Sequence, residues 1–251
     1  MVREGYFSSN EKQVLCAISR KATDVFNIVP KANLYRFNAI ITGVSVGGTT
    51  MYAVAPNTFR GFHKTAEAKA RGISGIEVYR NLIISNKDLI IKSLKECKSI
   101  EELSRLEDSL CLEFGKKLQG IVKPAMLNSY NKLRKVIDLT IEHVVSMADE
   151  LDSVRAELSK LLFLPLDSQI FESEYIFTQA ELSANGVCRS STYSDVYSSK
   201  QYIALQEIAL EKARMVSEYI GLPFSRIYFD LLWNKRYMRE DARNLFMTNP
   251  K

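Results

Sequence analysis

The stretch "SYNKLRKVIDLTIEHVV", residues 129–145, decides how the chain is read. It opens mostly polar and basic, and from Val136 its apolar side chains return at helical spacing. A polar turn running into that period predicts an amphipathic helix reaching about Ala148, with Lys135 near its start. A second stretch, "LLFLPLDSQIF" at 161–171, ends an oily run in one carboxylate, Asp167. Pro165 stops one element there. An aspartate two residues later suits the N-cap of the next helix, where it accepts from first-turn N–H groups. Asp167 follows Lys135 by 32 residues, enough for a helix, a connector and a short returning helix. Such a path can set the amine and the acid across one cleft.

Working outward, the rest reads as mainly helical with a small antiparallel β-hairpin near the N-terminus. Val14, Leu15, Ile18, Ala22 and Val25 share one helical face. The stretch from residue 37 to 55 is rich in β-branched and aromatic residues around Gly47-Gly48, which predicts the hairpin and its tight turn, ended by Pro56. Asn57 and Thr58 are candidate caps of a short helix. Asp88 is placed to cap "LIIKSLKEC", and Ser99 with Glu102 has the spacing of a capping box. "LDSVRAELSKLLF" predicts a helix ending at Pro165. The polar segment 183–199 predicts a long loop, and "KQYIALQEIALEKARMVSEYIGL" a long helix carrying Ile203, Ile208, Val216 and Ile220. Residues 1–85 read as an N-terminal part holding the hairpin, packed on a helical part at 86–251, with one continuous domain as the alternative.

Composition narrows the chemistry. Of 251 residues, 46% are hydrophobic and 25% charged, enough to bury a core. No apolar run is long enough for a membrane span, and the first residues lack a secretion signal. Cys16, Cys97, Cys111 and Cys188 are scattered, with only His63 and His143 beside them, so no zinc or iron–sulfur spacing exists. The cysteines read as small core residues of a reduced, cytoplasmic protein, and neither a metal nor another cofactor is expected. The net charge of +5 allows an anionic partner. Lys116, Lys117, Lys123, Asn131, Lys132 and Arg134 cluster around the helix start at 130, where outward N–H groups also favour phosphate. These six are the expected nucleic-acid contacts.

The order of these features resembles the helix-hairpin-helix DNA glycosylases. A turn and a lysine open a helix, and an apolar-Pro-apolar-Asp segment, "LPLD", opens a later one. The resemblance covers residues 125–175. It departs from the family where "SYNKLRK" replaces a glycine-rich hairpin, and the spacing to the aspartate is longer. The resemblance implies excision of a damaged or modified base from double-stranded DNA, in repair or in defence against foreign DNA. Lys135 would attack the sugar, and Asp167 would stabilise the positive charge that builds there. A free lysine is protonated at neutral pH, so attack requires a desolvated amine or nearby cations, such as Lys132 and Arg134. Tyr197 and Tyr202, beside the polar loop, are the expected stacking partners of an extruded base. Trp233 reads as a core anchor, and Lys235, Arg236 and Arg239 as a solvated face within reach of phosphate. The plainer alternative keeps the same helices in a non-catalytic nucleic-acid-binding or adaptor protein. There Asp167 is only a cap and Lys135 only a solvated lysine. A nuclease ranks lower, because no clustered acids suit a metal.

Overall fold

In the computed structural model the described residues are 9–26, 34–46 and 49–232. Its helices, in chain order, are α1 (Ser9–Phe26), α2 (Phe37–Thr42), α3 (Ala66–Ala70), α4 (Gly75–Ser85), α5 (Lys87–Glu96), α6 (Ile100–Leu118), α7 (Tyr130–Met147), α8 (Arg155–Leu158), α9 (Ser168–Glu172), α10 (Gln179–Ala184) and α11 (Ser199–Ile220). Short 3-10 turns lie at Pro56–Phe59, Pro124–Leu127, Asp149–Leu151, Tyr193–Asp195 and Arg226–Leu232. Strands β1 (Val44–Val46) and β2 (Thr49–Met51) pair antiparallel, with Ser45 opposite Thr50. The protein is thus mainly helical, and the pair of strands is an appendage rather than the centre of the fold.

The centre is α7. Ser129 caps it, its hydroxyl accepting from the Lys132 N–H. Fifteen of its eighteen residues are buried, so it is a core rod rather than an amphipathic surface helix. Helices α1, α2, α6 and α11 all pack on it. Its apolar residues, such as Ile137, Ile141 and Val145, are fully covered, and each such side chain contributes roughly 1.5–3 kcal/mol. The apolar core runs without a break from Leu15 in α1 to Leu231, so residues before and after position 85 share it.

Beside α7 lies an extended, buried segment, Leu162 to Leu166, with no strand next to it among the described residues. Buried backbone polar groups need partners, and side chains supply them here. Gln206 of α11 accepts from Leu164 N–H and donates to Leu164 C=O. Arg226 donates to the carbonyls of Leu161 and Leu162, and Asn131 of α7 to that of Leu166. This lattice explains why the helix expected over "LDSVRAELSKLLF" is reduced to α8. Arg155 also donates to the carbonyls of Val145 and Ala148, folding the chain back on the end of α7.

Other local expectations shift for similar reasons. Phe37–Thr42 is helical rather than part of a hairpin because both carboxylate oxygens of Glu150 accept the Phe37 N–H, a partner 113 residues away. Thr65, not Asn57 or Thr58, caps α3. Asp88 lies within the first turn of α5, which opens after Asn86. Ser99 caps α6, but Glu102 reaches the Lys98 N–H instead of closing the box. The buried stripe of α11 runs through Tyr202, Leu205, Ala209, Ala213, Val216 and Ile220, leaving Ile203 exposed. In α1, Leu15, Ile18, Ala22 and Val25 are buried as expected, while Val14 is exposed. The Gly47-Gly48 turn, Trp233, Lys235, Arg236 and Arg239 lie outside the described residues.

Candidate functional site

Lys135 and Asp167 meet. The Lys135 ammonium lies 2.8 Å from Asp167 Oδ2, and the two side chains keep 15% and 23% of their surface exposed. Asp167 is the N-cap of α9, with Oδ1 accepting from the N–H groups of Gln169 (3.0 Å) and Ile170 (3.1 Å). One carboxylate oxygen therefore fixes a helix start, and the other faces the amine.

One turn before Lys135, buried Asn131 sets the surroundings of the pair. Its amide donates to Leu166 C=O at 2.9 Å and to Tyr193 C=O at 3.0 Å. Leu166 adjoins Asp167, so one side chain ties the acid's extended segment and the 193–196 turn to the lysine's helix. The Asn131 Oδ1 atom is buried and has no hydrogen-bond partner among the described residues. Turning the amide over would aim that oxygen at two carbonyls, so the orientation is fixed. Tyr193 presents its ring face to the Lys135 ammonium, 5.2 Å from the centroid. Its hydroxyl rests on Gly61, where a Cβ would stand only 2.2 Å away. Lys132 closes this side, donating to Gly61 C=O at 3.3 Å.

Tyr193 and Gly61 are the site residues a sequence reading misses. The signal for Tyr193 is the T-x-x-D pattern at Thr192 and Asp195, whose side chains form a capping box and wind Tyr193 into a fixed turn. Nothing local marks Gly61.

Several expected contacts are elsewhere. The helix start at 130 does not present free N–H groups to phosphate, because Val196 C=O accepts from Asn131 N–H and from the Ser129 hydroxyl. Asn131 is wholly buried and Lys132 nearly so. Arg134 is fully buried, spanning Glu107, Asp108 and Asp138. These three are structural, because interior carbonyls and carboxylates engage them. Lys116, Lys117 and Lys123 are exposed, and Lys117 pairs with Glu113 at 3.6 Å. Tyr202 is buried, its hydroxyl donating to Asp138 at 2.8 Å, so no base can stack on it. Tyr197 is 62% exposed. Lys135 itself has a carboxylate beside it, and Arg134 is held by its own three carboxylates.

The buried acids form a cluster between α6 and α7. Burial pushes the Glu107 carboxyl up to about 8 and the Asp138 carboxyl to about 6, against the pull of Arg134. Burial likewise lowers Arg226 to about 10. Arg134 spans Glu107, Asp108 and Asp138, and Arg226 acts on Glu107 and Asp138, so with two cations and three acids one proton on a carboxyl leaves the group neutral. Asp138 thus serves this cluster, held by Arg134 and by the Tyr202 hydroxyl. His143 is also buried, against Leu139 C=O.

Cys97 and Cys111 are buried as expected, whereas Cys188 is exposed, and the hydroxyls of Ser190 and Ser191 hold its thiol below the usual range. Among the described residues no three His, Cys, Asp or Glu side chains are grouped to hold a metal, and no helix is long and apolar enough to cross a membrane. An open depression of about 390 Å³ between α5 and α6, lined by Leu89, Cys97, Arg105 and Leu106 among others, shares no residue with the Lys135–Asp167 pair. Comparison with protein-family models, with curated proteins and with solved structures finds no match to this chain.

Proposed function

We propose that the protein is a DNA glycosylase whose chemistry is carried by Lys135 and Asp167. The observation that supports this is their 2.8 Å contact, built from residues 32 apart and left partly open to solvent. In this reading a nucleotide leaves the duplex and its sugar C1′ comes to the Lys135 nitrogen. The ammonium releases a proton, and its lone pair forms the Nζ–C1′ bond as the C1′–base bond breaks. The departing base takes the bond's electrons and that proton. Asp167, braced by two backbone N–H groups, stabilises the positive charge developing on the sugar. Transfer of a second proton from nitrogen to the ring oxygen opens the sugar and leaves a Schiff base. With water in place of the lysine, the same carboxylate would serve a single-function enzyme.

The test is incubation of the protein with duplexes carrying damaged, modified or normal bases, scored by alkali-labile sites. Lys135→Ala and Asp167→Asn should each remove them, and borohydride should trap a covalent adduct if the lysine attacks. No base release from any duplex refutes the proposal. A second reading, a non-catalytic nucleic-acid-binding protein, is favoured by the fact that amine and acid already satisfy each other. It predicts binding without release and indifference to Asp167→Asn.

A further inference from the structure

The loop carrying Gly61 continues away from the site as one side of a backbone pairing. Lys64 bridges Val122 in antiparallel fashion, Lys123 N–H donates to His63 C=O, and Thr65 N–H donates to Ile121 C=O. The Thr65 hydroxyl adds a bond to Gly120 C=O at 2.8 Å. His63 and Lys123 are therefore neighbours across this pairing. They start two residues from Gly61, roughly 7 Å along extended backbone.

The charge in these two segments is one-sided. Residues 59–66 and 114–133 contain no aspartate or glutamate. Arg60, Lys116 and Lys123 are exposed and Lys64 half-exposed, and none makes an ion pair among the described residues. Lys64 acts at a distance on Glu77, a side chain engaged in capping α4. The one ring the strip turns outward is the His63 imidazole, and it carries no exposed phenyl, phenol or indole ring. Phe59 and Phe62 turn inward, their centroids 6.5 and 6.1 Å from that of Phe114. Binding of unpaired strands relies on exposed aromatic platforms, whereas a paired strand's backbone asks only for cations.

We infer that the paired segments 60–65 and 120–123 form a phosphate-binding strip for duplex DNA, running from Gly61 beside the Lys135–Asp167 pair to Lys123. This deepens the glycosylase reading but has its own readout, because binding is measured without base release. Arg60, Lys64 and Lys123 contact successive phosphates and carry no sequence preference.

The experiment measures binding of a short fluorescein-labelled duplex by the full chain as salt is varied. Each neutralised phosphate contact removes about 0.9 from the slope of log affinity against log salt, so Arg60→Gln, Lys64→Gln, Lys123→Gln together remove roughly 2.7. Between 50 and 200 mM salt the wild type should then lose about 40-fold more affinity than the triple variant. Lys98→Gln, at the opposite end of α6 and roughly 27 Å away by helical rise, combined with Lys92→Gln and Lys95→Gln on α5, should leave the slope unchanged. Lys123→Glu alone gives the same direction should the triple variant fold poorly. An unchanged slope in the strip variants, an equal loss in the control, or tighter binding of the unpaired strand overturns the inference. Salt-dependent duplex binding through the strip with no base release would leave the inference standing and remove only the glycosylase reading.

Discussion

Replacing Asn131 by leucine tests whether one buried amide assembles the site. The substitution keeps side-chain volume and removes two donors, those to the carbonyls of Leu166 and Tyr193. Two lost hydrogen bonds cost about 0.5–1.5 kcal/mol each, and a buried carbonyl left without a donor adds about 1–3 kcal/mol. Tyr193 C=O keeps a weak partner in the Ser129 hydroxyl at 3.4 Å, so the desolvation cost falls mainly on Leu166. Removing the unpartnered Oδ1 returns part of the loss. The net should be about 2–4 kcal/mol, read as a lower urea midpoint with an unchanged slope. Base release should fall as far as in Lys135→Ala although both reacting side chains remain. Adding Asp167→Asn should make it little worse, since the three act as a unit. A loss below about 1 kcal/mol with full base release would refute the argument that Asn131 holds the acid to the lysine.

Three further outcomes follow from the geometry. Gly61→Ala places a methyl 2.2 Å from the Tyr193 hydroxyl, so the ring must swing off Lys135; the melting temperature should change little while base release drops, and an unmoved Tyr193 ring resonance would contradict this. Glu107 has a folded-state value raised above its unfolded one, so the stability it brings is full below the unfolded value and is lost as pH rises through about 8; Glu107→Gln should flatten this decline in urea melts taken across that range, and an equal decline in the variant would place the proton elsewhere. Exposed Cys188 should react with a maleimide in the native protein while buried Cys97 and Cys111 wait for unfolding; thiol counting on Cys188→Ser checks it.

Much of the helical plan was legible because it rests on local chemistry. The end of α7 beyond Met147, the Ser99 cap and the Asp167 cap all follow from short spacings. The Lys135–Asp167 encounter is not local in this sense: a cap fixes the carboxylate on its helix and α7 fixes the lysine, but the path of residues 162–166, tied to α7 by Asn131, brings the two together. What was not legible depends on distant partners. The extended path of residues 162–166 is held by Gln206, Arg226 and Asn131, none of which marks that segment in the sequence. Arg134 read as a surface cation because its row of charges is a surface pattern; the carboxylates that draw it inward are on α6, 26 and 27 residues earlier. Tyr202 was misplaced for the same reason, through its bond to Asp138.

Helix α7 carries five charged side chains, Lys132, Arg134, Lys135, Asp138 and Glu142, and all but Lys135 are buried. A saturation library of this helix should therefore divide sharply. At the four interior charges nearly every replacement should lower the amount of intact protein in the cell. At Lys135, shortening or neutralising the side chain should leave abundance close to normal. That one position lets selection on biological output be separated from selection on folding.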